Sequence, residues 1–265
     1  MYKLIVIDLD NTLLNNEHQI SQFNREVIKK VQAKGIEVII ATGRMYVSAQ
    51  PYINELTLKT EAIVYNGAMV KDITSGQVKY HKPIDKNIAR VIIEDLKREG
   101  LHINLYQHDK LFVDQDNEHK KRYEEISGVK AQIVDNLVEL DFDDPTKLLV
   151  IEDDSDKHKY YQKYLREKYG NKIDVTESTE YFIEVGAKDV NKGKTLQEIS
   201  QAKGIKQEEV MAIGDSFNDI EMLKYAGTAV AMQNAAEAVK ETADIIAPHH
   251  EEDGVAKILN KLVLS

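Results

Sequence analysis

The chain has no cysteine, which excludes disulfides, thiolate metal sites and cysteine nucleophiles; it fits a reducing compartment, so a cytoplasmic location is expected. It also lacks an excess of positive charge: 35 Lys and Arg stand against 45 Asp and Glu, for a net charge of −10. The long-range field therefore repels nucleic acid and anionic lipid, and neither is expected as a partner. An anionic ligand would need a few placed lysines, backbone amides and a cation. Prolines number only 4, and no internal repeat or low-complexity linker is visible. The apolar stretch Leu4-Ile5-Val6-Ile7 is broken by Asp8, far too short for a signal-peptide core or a membrane span. The 8 histidines show no spacing suited to zinc. His249-His250, set between Pro248 and an acidic run, reads as an exposed loop.

What is present is a globular composition, 42% hydrophobic and 30% charged over 265 residues, enough for one large or two moderate domains. Leu4 to Ile7 has the β-branched continuity of a parallel strand buried on both faces, with Asp8 at its carboxyl end. Ser21 precedes a helical pattern that places Phe23, Val27, Ile28 and Val31 on one face, and Gly35 ends it. A strand over residues 36–40, a helix to about residue 56 and a strand over residues 62–65 follow, a doubly wound α/β pattern. The alternation resumes with a helix over residues 195–203, a strand over 210–213, a helix over 218–225 and short strands over 228–231 and 244–247.

The middle of the chain reads differently. Residues 102–106 and 111–113 resemble a hairpin around His108-Asp109-Lys110, followed by a helix. Strands over 147–151 and 181–185 flank a charged helix over 155–168, whose Tyr160, Tyr161, Tyr164 and Tyr169 are expected to pack between helix and sheet. Strands and helices without strict alternation predict an α+β insertion. The core domain is therefore discontinuous, residues 1–81 plus 188–265, and residues 82–187 form a cap, with hinges expected near Lys82 and Ala187.

Ligands of open α/β sheets bind beyond the carboxyl ends of the strands. Four polar clusters fall there: Asp8-Leu9-Asp10-Asn11-Thr12, Thr42-Gly43-Arg44, Lys192, and Gly214-Asp215-Ser216-Phe217-Asn218-Asp219. Three carboxylates in one crevice, Asp8, Asp10 and Asp215, would raise one another's pKa unless a cation offset them. Magnesium suits an oxygen-only donor set and commonly bridges carboxylates to a substrate phosphate. Attack by Asp8 on a phosphate monoester would give an acyl-phosphate, with Asp10 as acid and then base, Lys192 as a second positive charge and Thr42 as a phosphate donor. Taken singly, each cluster also has a plain reading. Asp-x-Asp serves as a turn or cap, Arg44 as the partner of a surface carboxylate, and Asp219 as a first-turn acid, while Lys192 is locally indistinguishable from Lys188 and Lys194. Their joint occurrence in order, each at a strand end or helix start, favours the chemical reading.

These residues resemble the haloacid dehalogenase superfamily. Asp8 to Thr12 is similar to its first motif, Ala41-Thr42-Gly43-Arg44 to the second, Asn191-Lys192-Gly193 to the third and Gly214 to Asp219 to the fourth, in the family's order. The long insertion after Tyr65-Asn66-Gly67-Ala68 resembles the C2-type (C2B) cap of Cof-like phosphatases. The resemblance implies a Rossmann-like core and a Mg2+-dependent phosphatase of small phosphorylated metabolites such as sugar phosphates. It implies that Asp8 is nucleophile and metal ligand, Asp10 acid/base and ligand through its carbonyl, and Asp215 a metal ligand. It further implies phosphate or substrate contacts from Leu9, Thr42, Gly43, Lys192, Asn218, Asn66 and Gly67, with Asp219 and Ser216 supporting the metal site. Asn11 stands where close members of the family usually carry Gly, and Asn tolerates left-handed backbone well. A phosphosugar mutase of the same architecture and a non-catalytic sugar-phosphate sensor are the alternatives. Glu184, Asn104 and Tyr106 are candidates for specificity. The sequence carries no signal of oligomeric state.

Overall fold

All four side chains of β1 (Leu4–Ile7) are fully buried, as a strand with neighbours on both sides and helices on both faces requires. The computed structural model describes residues 1–179 and 181–265, and these divide into two compact units, Met1–Tyr80 with Asn191–Ser265, and His81–Val190. After β1 come α1 (Gln22–Ala33), β2 (Glu37–Ala41), α2 (Tyr46–Glu55), β3 (Glu61–Val64), β4 (Met69–Asp72) and β5 (Val78–His81). The inserted unit contains α3 (Lys86–Arg98), β6 (His102–Gln107), β7 (Lys110–Val113), α4 (Glu118–Ser127), β8 (Gln132–Ile133), β9 (Lys147–Ile151), α5 (Ser155–Tyr169), β10 (Ile173–Thr179) and β11 (Phe182–Ala187). The chain then returns through α6 (Lys192–Ala202), β12 (Val210–Gly214), α7 (Ile220–Tyr225), β13 (Thr228–Met232), α8 (Glu237–Lys240), β14 (Ile245–Ala247) and α9 (Gly254–Leu259).

The first unit is a doubly wound α/β fold. Its sheet has the order β14-β13-β12-β1-β2-β3-β4-β5, parallel from β14 to β3, with β4 antiparallel to β3. From β1 the chain moves outward to β2 on one side and later returns to β12 on the other. The gap between β1 and β12 is thus a topological switch point, where connections leave in opposite directions and open a crevice at the strand ends. Ile7 pairs with Ile213 on one side and Ile40 on the other, so Asp8 and the residues after β2 and β12 emerge at one level.

Local chemistry explains where the elements stop and which faces they bury. Ser21 Oγ accepts the Asn24 amide at 3.0 Å to cap α1, and Gly35, at φ +79, follows its end. Val27, Ile28 and Val31 are fully buried, but Phe23 is 38% exposed. The buried neighbour is Asn24, whose Oδ1 accepts the Ala256 amide at 2.8 Å, a use of α1 that apolar periodicity does not reveal. The edge strand β5 also escapes the pattern, because it has no buried position and so no alternation to read. α6 begins at Lys192 and not near residue 195, since Asn191 caps it by accepting the Lys194 amide.

The second unit is α+β. Its sheet has the order β10-β11-β9-β6-β7-β8, antiparallel except for β7 with β8. Ile103, Leu105, Leu148, Val150, Ile183 and Val185 form one apolar core with residues of α3 and α5. The β6–β7 connection is a two-residue turn with His108 at φ 50 and Asp109 at φ 57, the mirror-image geometry that matches strand twist. Tyr161 and Tyr169 are buried as expected, but Tyr160 is 62% exposed: it precedes Tyr161 by one residue, about 100° around the helix. No helix among the described residues is long and apolar enough to cross a membrane.

Gly193 lies where a side chain has no room. A Cβ there would stand 2.3 Å from the Glu221 carbonyl of α7, so absence of a side chain sets how closely α6 and α7 approach. Gly193→Ala is expected to force them apart and lower stability by roughly 1–3 kcal/mol. A lower urea midpoint with an unchanged slope would register this.

Candidate active site

Asp8 follows β1, and its amide donates to Ile213 O on β12 at 3.0 Å, which fixes the residue over the switch point. Its carboxylate is 5% exposed and accepts from Lys192 Nζ through Oδ1 at 2.6 Å. The same ammonium, fully buried at the start of α6, donates to Asp219 Oδ1 at 2.7 Å. Asp219 Oδ2 accepts the amides of Asp215 and Ser216, both at 3.0 Å, and so shapes the turn that presents Asp215. Asp215 in turn accepts from Thr12 Oγ1 at 2.9 Å and Ser216 Oγ at 3.0 Å. Thus Asp8, Lys192, Asp215, Asp219 and Ser216 form one network. Thr12, to which the sequence reading assigned no task, ties the first motif to the fourth.

The electrostatics follow from burial. Desolvation pushes Asp8 well above the usual carboxylate range; Lys192 opposes this, while Asp219, Asp215 and Asp10 add to it. Burial also raises Asp215, with Asp219 adding to the rise; the Thr12 and Ser216 hydroxyls and Lys192 pull the other way, leaving it at about 6. Burial works against the charge of Lys192, yet Asp219 and Asp8 outweigh it and hold the ammonium well above the normal lysine range.

A cation fits this donor set. Carboxylate oxygens of Asp8, Asp215 and Asp219 lie within 4.8 Å of one another, and one ammonium against three carboxylates leaves an excess of buried negative charge. The donors are all oxygen, as magnesium prefers. Of the three, Asp219 gives one oxygen to Lys192 and the other to two amides, which marks it as a support; each Asp215 oxygen accepts one hydroxyl only, so Asp8 and Asp215 are the better candidate ligands. The carboxylate of Asp10 is not among these oxygens.

The Asp10 carboxylate instead pairs with Arg44, which donates through Nε at 2.8 Å and Nη2 at 2.5 Å. Arg44 also lies over the Tyr52 ring at 5.3 Å and near Ser48 Oγ at 3.4 Å. Its partner is therefore the acid/base candidate and not an unrelated surface carboxylate. The Thr-Gly-Arg turn was a visible signal, but sequence distance hid the pairing.

The remaining candidates surround the network. Thr42 is fully buried, its amide bound to Ile63 O and its Oγ1 accepting the Arg44 amide at 3.1 Å, which leaves the hydroxyl proton as its free donor. Asn218 Nδ2 donates to Asn66 Oδ1 at 2.9 Å. A Cβ on Gly43 would come within 2.9 Å of that same Asn66 oxygen. Gly67, at φ +101, leaves no space for a Cβ, which would stand 2.6 Å from Asn191 O. Gly43, Asn66, Gly67, Asn191 and Asn218 are thus brought together. The Leu9 side chain is fully buried, so only its backbone is available to a ligand.

His250 is not in an exposed loop: it is 6% exposed and hydrogen-bonds Leu14 O through Nδ1 at 2.8 Å. In the inserted unit, Asn104 and Tyr106 are fully buried and share a 3.5 Å hydrogen bond, and Glu184 accepts from Lys147 at 3.0 Å. A cavity of about 290 Å³ in that unit, lined by residues including Asp95, Tyr160 and Lys168, contains none of the candidate residues.

Residues 5–259 match the family model of the haloacid dehalogenase-like hydrolases. The chain is similar to the 5-amino-6-(5-phospho-D-ribitylamino)uracil phosphatase YcsE of Bacillus subtilis, with 33% identity over 99% of this chain and 96% of the relative. It is also similar to phosphatase YwpJ of the same organism, with 30% identity over 98% of this chain and all of the relative. A crystal structure of a haloacid dehalogenase-like hydrolase from Bacteroides thetaiotaomicron superimposes with a TM-score of 0.92 at 31% identity, covering 99% of this chain and 100% of that one. Fold, motifs and relatives agree: the chain belongs to the haloacid dehalogenase superfamily and is a phosphatase of the Cof-like type.

Proposed function

We propose that the chain is a Mg2+-dependent phosphomonoester hydrolase of small phosphorylated metabolites, sugar phosphates or similar, working through an aspartyl-phosphate on Asp8. The observation that carries this reading is the buried Lys192 ammonium 2.6 Å from Asp8 Oδ1, set among three carboxylates. Mg2+ held by Asp8, Asp215 and the Asp10 carbonyl supplies positive charge against the phosphate oxygens when bound. An Asp8 oxygen attacks phosphorus, the ester P–O bond breaks, and Asp10 gives its proton to the leaving oxygen. Water then attacks the acyl-phosphate, Asp10 takes its proton, and phosphate leaves as the bond to Asp8 breaks. Lys192 and the Thr42 hydroxyl bind the phosphate, aided by Asn218 and by backbone at Leu9, Gly43, Asn66 and Gly67.

The Arg44 pair bears on the two tasks of Asp10. Both Asp10 oxygens accept from Arg44, so in our reading the pair opens on substrate binding and frees an oxygen to face the leaving group. We assign substrate discrimination to the insertion, residues 82–187, because one face of its sheet carries a run of buried polar side chains, His102, Asn104, Tyr106 and Glu184. The name of YcsE specifies a ribityl phosphate substrate, and a phosphate on a short polyhydroxylated chain is the class we extend to this protein.

Phosphate release from a panel of small monoesters should require Mg2+. Asp8→Asn is expected to abolish it and Asp10→Asn to lower it by about 10²- to 10⁴-fold; full activity in Asp8→Asn would overturn the mechanism. A second expectation concerns pH. Asp215 titrates at about 6 when folded against an ordinary 3.8, so the folded state holds its proton more tightly. Without metal, that stabilising contribution is complete below about pH 4 and is lost as pH rises through about 6. Melting with and without Mg2+ should therefore show a larger gain from the ion near about pH 7.5 than near about pH 5. Asp215→Asn should raise the metal-free melting temperature at the higher pH and abolish most of the gain.

A further inference from the structure

The loop that carries Asp10 is tied to the carboxyl-terminal part of the chain at three points. Asn234, just after β13, donates from Nδ2 to Asn11 O at 2.8 Å, and its Oδ1 accepts the His250 amide at 3.3 Å. His250 donates from Nδ1 to Leu14 O at 2.8 Å; a carbonyl only accepts, so this nitrogen carries the proton. The Asn16 amide donates to Glu251 Oε1 at 2.5 Å. All three ties come from connections after β13 and β14, on the opposite side of β1 from the β2–α2 connection that carries Arg44.

The loop needs external support. Asp10 has extended backbone (φ −74, ψ 129) and Asn11 lies in the left-handed region (φ 56, ψ 12), which Asn tolerates better than most residues but Gly adopts more readily. The bond from Asn234 secures the carbonyl of that left-handed residue, immediately after Asp10. The carboxylate of Asp10 is gripped separately by Arg44. Backbone and side chain of the acid/base residue are thus held from two directions, one of them through a neutral amide that takes no part in the chemistry.

We propose that Asn234, supported by His250, is a positioning residue that sets Asp10 for proton transfer to the leaving oxygen; this rests on the reading of Asp10 as acid/base. A misplaced acid penalises poor leaving groups selectively. An alkoxide must be protonated as it departs, whereas p-nitrophenolate leaves well without help.

The test compares β-glycerol phosphate with p-nitrophenyl phosphate on the Mg2+-loaded full chain. Asn234→Ala and Asn234→Asp, the second keeping the acceptor for His250 while replacing the donor with a charged oxygen, should lower kcat on the alkyl ester by about 10- to 100-fold more than on the aryl ester. Inhibition by inorganic phosphate should stay within about twofold, since phosphate binding does not use Asp10 as an acid. Asp10→Asn is the control. If it shows no leaving-group bias, the acid/base reading itself fails. If it shows the bias while both Asn234 variants lower the two esters equally, or leave both unchanged, the positioning role is overturned. Should Asn234→Ala fail to fold, the near-isosteric Asn234→Asp decides the matter.

Discussion

The ammonium of Lys192, fully buried between Asp8 and Asp219, is the interaction on which the site depends. A buried lysine without partners would lose its charge, and a buried carboxylate would take up a proton. Together the three groups make burial tolerable, and removing one member of such a set typically costs about 3–5 kcal/mol because a charge is left uncompensated. The arrangement draws on distant parts of the chain: Asp8 from β1, Lys192 from the start of α6, Asp219 from the turn before α7. Gly193 makes it possible, since without a side chain α6 comes close enough to α7 for Lys192 to reach Asp219.

The same network accounts for the demand for a cation. Asp219 spends its second oxygen on the amides of Asp215 and Ser216, so the residue that neutralises half of Lys192 also orients Asp215. With Lys192 shared between two acids, Asp8 and Asp215 remain undercompensated, and both are shifted upward by burial and by their acidic neighbours. Stability and chemistry therefore oppose each other in the metal-free protein, which is common where charged groups are assembled for catalysis. A cation held among these oxygens would offset that charge.

The parts of the fold legible in the sequence are those governed by continuous burial. Leu4 to Ile7 announced a central strand, and the position of Asp8 at its end followed. The hairpin around His108 and Asp109 was legible from turn chemistry. What escaped depends on partners remote in sequence. β5 is an edge strand whose residues remain largely accessible, so no apolar pattern marks it. Phe23 looked like a core residue, but Asn24 takes the buried position by bonding Ala256. His250 looked like a loop residue, yet its bond to Leu14 is 236 positions away. The motifs identified the acids, while the pairing of Arg44 with Asp10 required coordinates.

Asp8 and Asp10 lie two residues apart, yet the fold gives them opposite environments. Asp8 is buried against an ammonium that is itself locked in place, which suits a nucleophile whose oxygen must stand still. The Asp10 side chain is 40% exposed and bound to an arginine that is only 15% exposed, so the carboxylate can let go of Arg44 while Arg44 stays. The chain rejoins the buried network right after the left-handed turn at Asn11, where Thr12 donates to Asp215. A residue that switches between proton donor and acceptor, as we propose for Asp10, needs a mobile side chain on a fixed backbone. Arg44 supplies a reversible grip on the first, and Asn234 secures the second.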